Sequence, residues 1–98
     1  MESGLFNISS ATTTTLIEKN TFSGNIKSLS IANCNASNAV TVKLYLDDDT
    51  NQTSYIENMV IPTATTLVLD HNISFDNSVL ALKLTTEGTS PDINVIIK

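Results

Sequence analysis

Apolar and polar residues alternate through the stretch AVTVKLYLDDD, where Val40, Val42, Leu44 and Leu46 are separated by Thr41, Lys43 and Tyr45. A period of two places all four apolar residues on one face of a strand, whereas a helix would scatter them around its circumference. Branching at Cβ in Val and Thr suits the pleat as well. The expected strand, Ala39 to Asp47, runs into three aspartates and a polar loop, so it ends at solvent. It reads as the central strand of an all-β domain.

The same period marks other segments. In Ser78 to Thr86, Leu80, Leu82 and Leu84 are expected inward and Lys83 outward, and Ile93, Val95 and Ile97 share one face of a last strand. Leu29 and Ile31 share a face in Gly24 to Asn33, but Ile26 is out of phase, which predicts a bulge near Lys27 and Ser28. Tyr55 to Pro62 is apolar without clean alternation, and Pro62, with no amide hydrogen, marks a strand end or an edge position. Thr66 to Asp70 is a short strand with Leu67 and Leu69 inward, and Ile73 and Phe75 sit one pleat apart. Asn33 to Asn38 reads as a turn, Asp48 to Thr53 as an exposed loop, and Glu87 to Asp92 as a hairpin loop.

Ahead of a strand ending with Leu16, Ile17 and Glu18, the N-terminus holds one apolar cluster, Leu5, Phe6 and Ile8. Two readings stand side by side: a first strand of the domain, or an arm that docks on a neighbouring subunit. Seven to eight short strands with no helical period predict an antiparallel β-sandwich, jelly-roll or immunoglobulin-like. Residues 1–98 form a single domain on this reading, with 1–10 a possible N-terminal arm. The expected core is Val42, Leu44, Leu46, Leu80, Leu82, Leu84, Ile93, Val95 and Ile97.

Composition narrows the function more than it names one. Ile, Leu and Val carry most of the apolar fraction of 41%, while Thr, Ser and Asn make up more than a third of the chain. The surface is therefore polar and mostly uncharged. Ten acids against five lysines and no arginine leave a net charge of −5. Without a guanidinium fork or a basic cluster, nucleic-acid binding and adhesion to an anionic membrane are both disfavoured. No apolar run is long enough to span a bilayer, and no basic-then-apolar leader opens the chain, which fits synthesis inside the cell.

Each chemical motif has a plainer structural reading. Asp47, Asp49 and Asn51 supply oxygens at alternate positions, as calcium loops do. Yet Gln52 stands where such a loop needs glycine and Asn58 where it needs a bidentate acid, so three exposed, cation-free aspartates are expected. His71 lies beside Asp70 and near Ser74 and Ser78, but neighbours in sequence do not make a triad, and no nucleophile-elbow glycines occur. Cys34 is the only cysteine and His71 the only histidine, which excludes an intrachain disulfide and a closed zinc site. Cys34 is expected as a small filler at a strand end. Sequons at Asn7, Asn35, Asn51 and Asn72 follow from the composition. No glycine-rich phosphate cradle is present. No catalytic residue, metal ligand or cofactor site is expected, and the protein reads as no enzyme.

From Gly24 onward the order of segments IKSLSIAN, VTVKLYL, YIENMVIP, TLVLD, ISFDNSVLALKL and INVIIK resembles the small all-β virion proteins of tailed bacteriophages, marine ones in particular. The resemblance covers about three quarters of the chain as a pattern of strands and turns. It implies a jelly-roll or immunoglobulin-like sandwich present in repeated copies in a virion made in the host cytoplasm. A capsid decoration protein bound to neighbouring capsid subunits is the leading expectation, with a neck or tail component, or a receptor- or glycan-binding module, as alternatives. Sugar sites in sandwiches favour exposed aromatics, and here Trp is absent and Tyr45 and Tyr55 are the only tyrosines. Expected partners are other virion proteins and copies of the chain itself, through Leu5, Phe6 and Ile8.

Overall fold

The computed structural model describes residues 4–21, 25–70 and 72–98. Among these residues every helix or strand is a strand, and every pairing is antiparallel. In chain order they are β1 (Gly4–Ile8), β2 (Thr13–Ile17), β3 (Asn25–Ile26), β4 (Leu29–Asn33), β5 (Val40–Asp47), β6 (Gln52–Ile61), β7 (Thr65–Leu69), β8 (Ile73–Ser74), β9 (Ala81–Glu87) and β10 (Ile93–Ile97). These ten exceed the seven or eight expected, because β3 and β8 are two-residue strands paired with each other in a small third sheet.

The eight longer strands form two four-stranded sheets. The first has the order β1-β10-β4-β7 and the second β2-β9-β5-β6. Strand β5 is interior, flanked by β9 and β6, and it makes the only hairpin between consecutive strands among the described residues. Every other connection between the longer strands changes sheet. The loop after β9, expected to close a hairpin, instead carries the chain from the second sheet to the first. Gly88 begins that crossing at φ 145°, and a Cβ there would lie 3.1 Å from the Ala39 carbonyl oxygen. Only glycine combines that backbone with so close an approach.

Alternation gives each sheet one apolar face, and the two faces share a single core. Val42, Leu44, Leu82, Leu84, Ile93, Val95 and Ile97 are fully buried as expected. Leu46 is half-buried against this cluster. Leu80 differs more. It precedes β9 and is half-buried, because Asp76 folds residues 76–80 into a turn. The Asp76 carbonyl accepts from the Val79 and Leu80 amides, and its carboxylate accepts from the Ser78 amide at 3.0 Å. The bulge expected near Lys27 is also absent. Ile26 is out of phase because the chain leaves one sheet after it and joins another at Leu29. Both the Lys27 and Ser28 amides donate to the carbonyl of Lys98, which pins that switch to the chain end.

Three buried polar side chains hold the crossings together. Asn33 is 2% exposed; its amide donates to the carbonyls of Asn38, Ile61 and Pro62, and its oxygen accepts from the Asn35 amide. One side chain thus ties the end of β4 to the turn leaving it and to the β6–β7 crossing. Thr86 donates to the carbonyls of Ser10 and Thr12, between β1 and β2. Asn77 donates to the carbonyls of Glu18 and Leu80 and accepts from the Thr21 amide at 2.6 Å. Such groups are tolerated in an interior because their hydrogen-bonding capacity is used.

Leu44→Ala and Leu82→Ala are each expected to destabilise the fold by ~2–5 kcal/mol, since each empties a fully enclosed site. Leu80→Ala should cost much less. Urea unfolding of the three variants checks the ranking, and equal losses at Leu80 and Leu82 would contradict the observed start of β9.

Candidate interaction surface

The period of two separates the three N-terminal apolar residues. Strand β1 pairs with β10 along its length, from Gly4 opposite Ile97 to Ile8 opposite Ile93. Phe6 and Ile8 point into the core, where Ile8 is 5% exposed and Phe6 packs against the buried cluster. Leu5 points the other way and is 77% exposed. The strand reading thus describes Gly4–Ile8, and Leu5 alone of the three faces solvent.

Leu5 does not stand by itself. The registers of the first sheet align Leu5, Ile96, Ser30 and Val68 across all four strands, with Ile96 and Val68 also exposed. The next outward row is Asn7, Asn94, Ala32 and Thr66. None of these eight residues is charged. The three pairings run without a register shift, so the face is regular, and a shallow groove of about 300 Å³ lies between Leu5, Asn7, Asn94 and Ile96.

The outer face of the second sheet is built differently. Lys83 on β9 donates to the Asp47 carboxylate on β5 at 2.9 Å, and Lys43 lies 3.8 Å from Glu57 and 5.3 Å from the centre of the Tyr45 ring. That contact and the neighbouring side chains leave Tyr45 only 5% exposed. Both outer pairings of this sheet carry register shifts, between Thr15 and Ile17 and between Val42 and Tyr45. On the edge strand β6, Tyr55, Met59 and Val60 are exposed, but Glu57 sits among them and Asn58 adopts a left-handed φ of 52°. Such irregular, charged edges resist strand pairing.

The acidic run is turn chemistry. Asp47 is buried at the end of β5, against the expectation of three exposed aspartates; Asp48 is half-buried and only Asp49 is exposed. The Asp47 carboxylate accepts from the Asp49 amide, and that of Asp48 accepts from the Thr50 and Asn51 amides. Asp49 adopts φ 73° and pairs with Lys19. Aspartate serves here for its ability to bond the backbone two residues on and to enter the left-handed region. Among the described residues no three His, Cys, Asp or Glu side chains converge as metal ligands would. His71 lies outside the described residues.

Cys34 is exposed rather than a filler, with its sulfur 3.3 Å from the Asn94 amide nitrogen. A larger groove, about 540 Å³, is lined by Asn20, Asn25, Ser74, Phe75, Asp76, Asn77 and Ser78. Its polar groups are largely committed to each other. Besides the Asn77 bonds above, Asp76 accepts from the Ser78 hydroxyl at 2.6 Å and Ser74 donates to Asn25 at 3.2 Å. The Ser78 hydroxyl, then the Ser78 amide, hold the Asp76 carboxyl below its ordinary value.

Comparison with known proteins adds no relative: no protein-family model matches the chain, and no curated protein matches it either.

The Asp47–Lys83 pair generates a pH dependence. The hydrogen bond from Lys83, then the Asp49 amide, hold the Asp47 carboxyl below the ordinary 3.8, and the same bond holds Lys83 above the ordinary 10.5. The Asn51 and Thr50 amides depress Asp48 likewise. A depressed carboxylate contributes stability above its unfolded value and loses it as pH falls through the lower folded one. A raised lysine contributes below its unfolded value and loses it as pH rises through the higher folded one. The melting temperature should therefore be flat at intermediate pH and fall at both extremes. Asp47→Asn should weaken both limbs, and a variant with an unchanged pH profile would rule the pair out as their source.

Proposed function

We propose that this protein is a non-enzymatic structural component of a virus particle, a capsid decoration protein that sits on neighbouring capsid subunits. The observation that carries the reading is strand order. With β3 and β8 set aside, the first strand lies beside the last, the last beside the third, and only the central pair β5–β6 is a hairpin. That order supports a jelly roll, a double Greek key used by viral capsid proteins and by lectin-like domains. It agrees with the segment pattern that resembles small virion proteins of tailed bacteriophages, and an immunoglobulin-like sandwich is the less economical description.

On this reading the chemistry is surface burial. The uncharged face carrying Leu5 offers a contact without the desolvation of ions, and a net charge of −5 keeps the protein away from packaged nucleic acid. Many weak contacts then add up on a symmetric particle. Phe6 and Ile8 serve that contact indirectly, by anchoring the strand that presents Leu5. A neck or tail position would use the same surface.

One feature favours a second reading, a sugar-binding module: the 540 Å³ groove sets the Phe75 ring among amides and a carboxylate. The engagement of Asn77 and Asp76 with the protein's own backbone and hydroxyls weighs against it.

Particles of the encoding virus, purified through a density gradient, are expected to contain the chain in many copies by quantitative mass spectrometry. Particles made without it should assemble yet lose DNA at lower temperature, and added protein should restore them. Absence of the chain from purified particles would end the virion reading. A copy number near that of a single vertex would move the protein from capsid to neck or tail.

A further inference from the structure

We propose that the outer face of the first sheet is a self-association surface, on which a second copy of this chain docks face to face about a two-fold axis. The inference rests on the structural-protein reading and gives this face to a second copy of the chain, leaving the seat on capsid subunits to other surfaces.

Charge selects the occupant. The chain carries ten acids against five lysines, so two copies repel at most approaches. Contact through the second sheet would oppose Asp47, Glu57, Lys43 and Lys83 to their own equivalents and strip water from pairs already satisfied. The outward rows Leu5–Ile96–Ser30–Val68 and Asn7–Asn94–Ala32–Thr66 contain no charge. At these eight positions an identical copy therefore meets no like charge and a charged patch finds no partner, while the exposed Asp70, Asp92 and Lys98 lie beyond them at the strand ends. Shape agrees. A two-fold axis in the plane of the face, along the rows or along the strands, lays the apolar row of one copy on that of the other, as an isologous contact requires. The unshifted registers of β1, β10, β4 and β7 give the regular surface on which sheets pack about 10 Å apart.

Area sets the strength. Four strands spaced about 4.8 Å and five residues at about 3.4 Å cover ~300 Å² of projected face. That is below the roughly 800 Å² per partner of a standard interface, so the free protein should associate weakly and the contact should fill when a particle holds copies close together.

Sedimentation equilibrium up to ~1 mM protein, with amide NMR shifts followed over the same range, tests this. The expected result is a monomer–dimer equilibrium whose shifts concentrate in β1, β10, β4 and β7. Ile96→Lys should weaken dimerisation at least tenfold, and Val68→Lys, at a more exposed position of the same row, should do the same if the first variant folds poorly. Val60→Lys on β6 should leave it unchanged. A strictly monomeric protein at ~1 mM, shifts centred on β6 or the second sheet, or a dimer weakened by Val60→Lys and not by the row variants would each overturn the proposal. None of those outcomes bears on whether purified particles contain the chain, so the virion reading stands or falls separately.

Discussion

Everything in this fold depends on two sheets burying one apolar face each against the other. Neither sheet is stable alone, because four short strands with one exposed apolar side would leave Leu, Ile and Val in water. Leu44 and Leu84 from the second sheet and Ile31, Val95 and Ile97 from the first are fully enclosed in one cluster. Burying side chains of this size stabilises by roughly 1.5–3 kcal/mol each before conformational entropy is counted. Among the described residues the buried Ile, Leu and Val side chains form this one cluster.

That constraint explains the polar groups placed inside. A chain that changes sheet at nearly every connection bends repeatedly at the rim of the core, where ladder hydrogen bonds stop. Asn33, Asn77 and Thr86 replace those bonds, each reaching backbone carbonyls on a segment distant in sequence. Among the described residues no buried side-chain nitrogen or oxygen is left without a partner. The abundance of Asn and Thr is thus partly architectural, because short amides and hydroxyls bond the backbone where the chain turns.

The two outer faces divide the remaining work. The face of the second sheet is closed on itself, its lysines paired with Asp47 and Glu57 and its edges bulged. The face of the first sheet is neutral, regular and marked by an apolar row. Either pattern would satisfy the sheet beneath it.

The sequence determined the local terms of this structure. Strict alternation made β5, β9 and β10 legible with most of their inward residues, because side-chain direction in a strand follows from position alone. It also held a signal for the neutral face that alternation obscured. Leu5 precedes Phe6, Val68 lies between Leu67 and Leu69, and Ile96 between Val95 and Ile97, each an apolar residue in an outward slot. Of these only Leu5 stood out as a contact candidate, and nothing local joined the three. Their common row, the strand order of the two sheets, the split of Ile26 from Leu29 and the burial of Asp47 beside Lys83 were decided by tertiary structure. Strand partners lie tens of residues apart, as with Leu5 and Ile96, and pairing register is a property of the collapsed chain. A strand carries its period in its own residues, but which strand lies beside it depends on how two whole sheets close over one core.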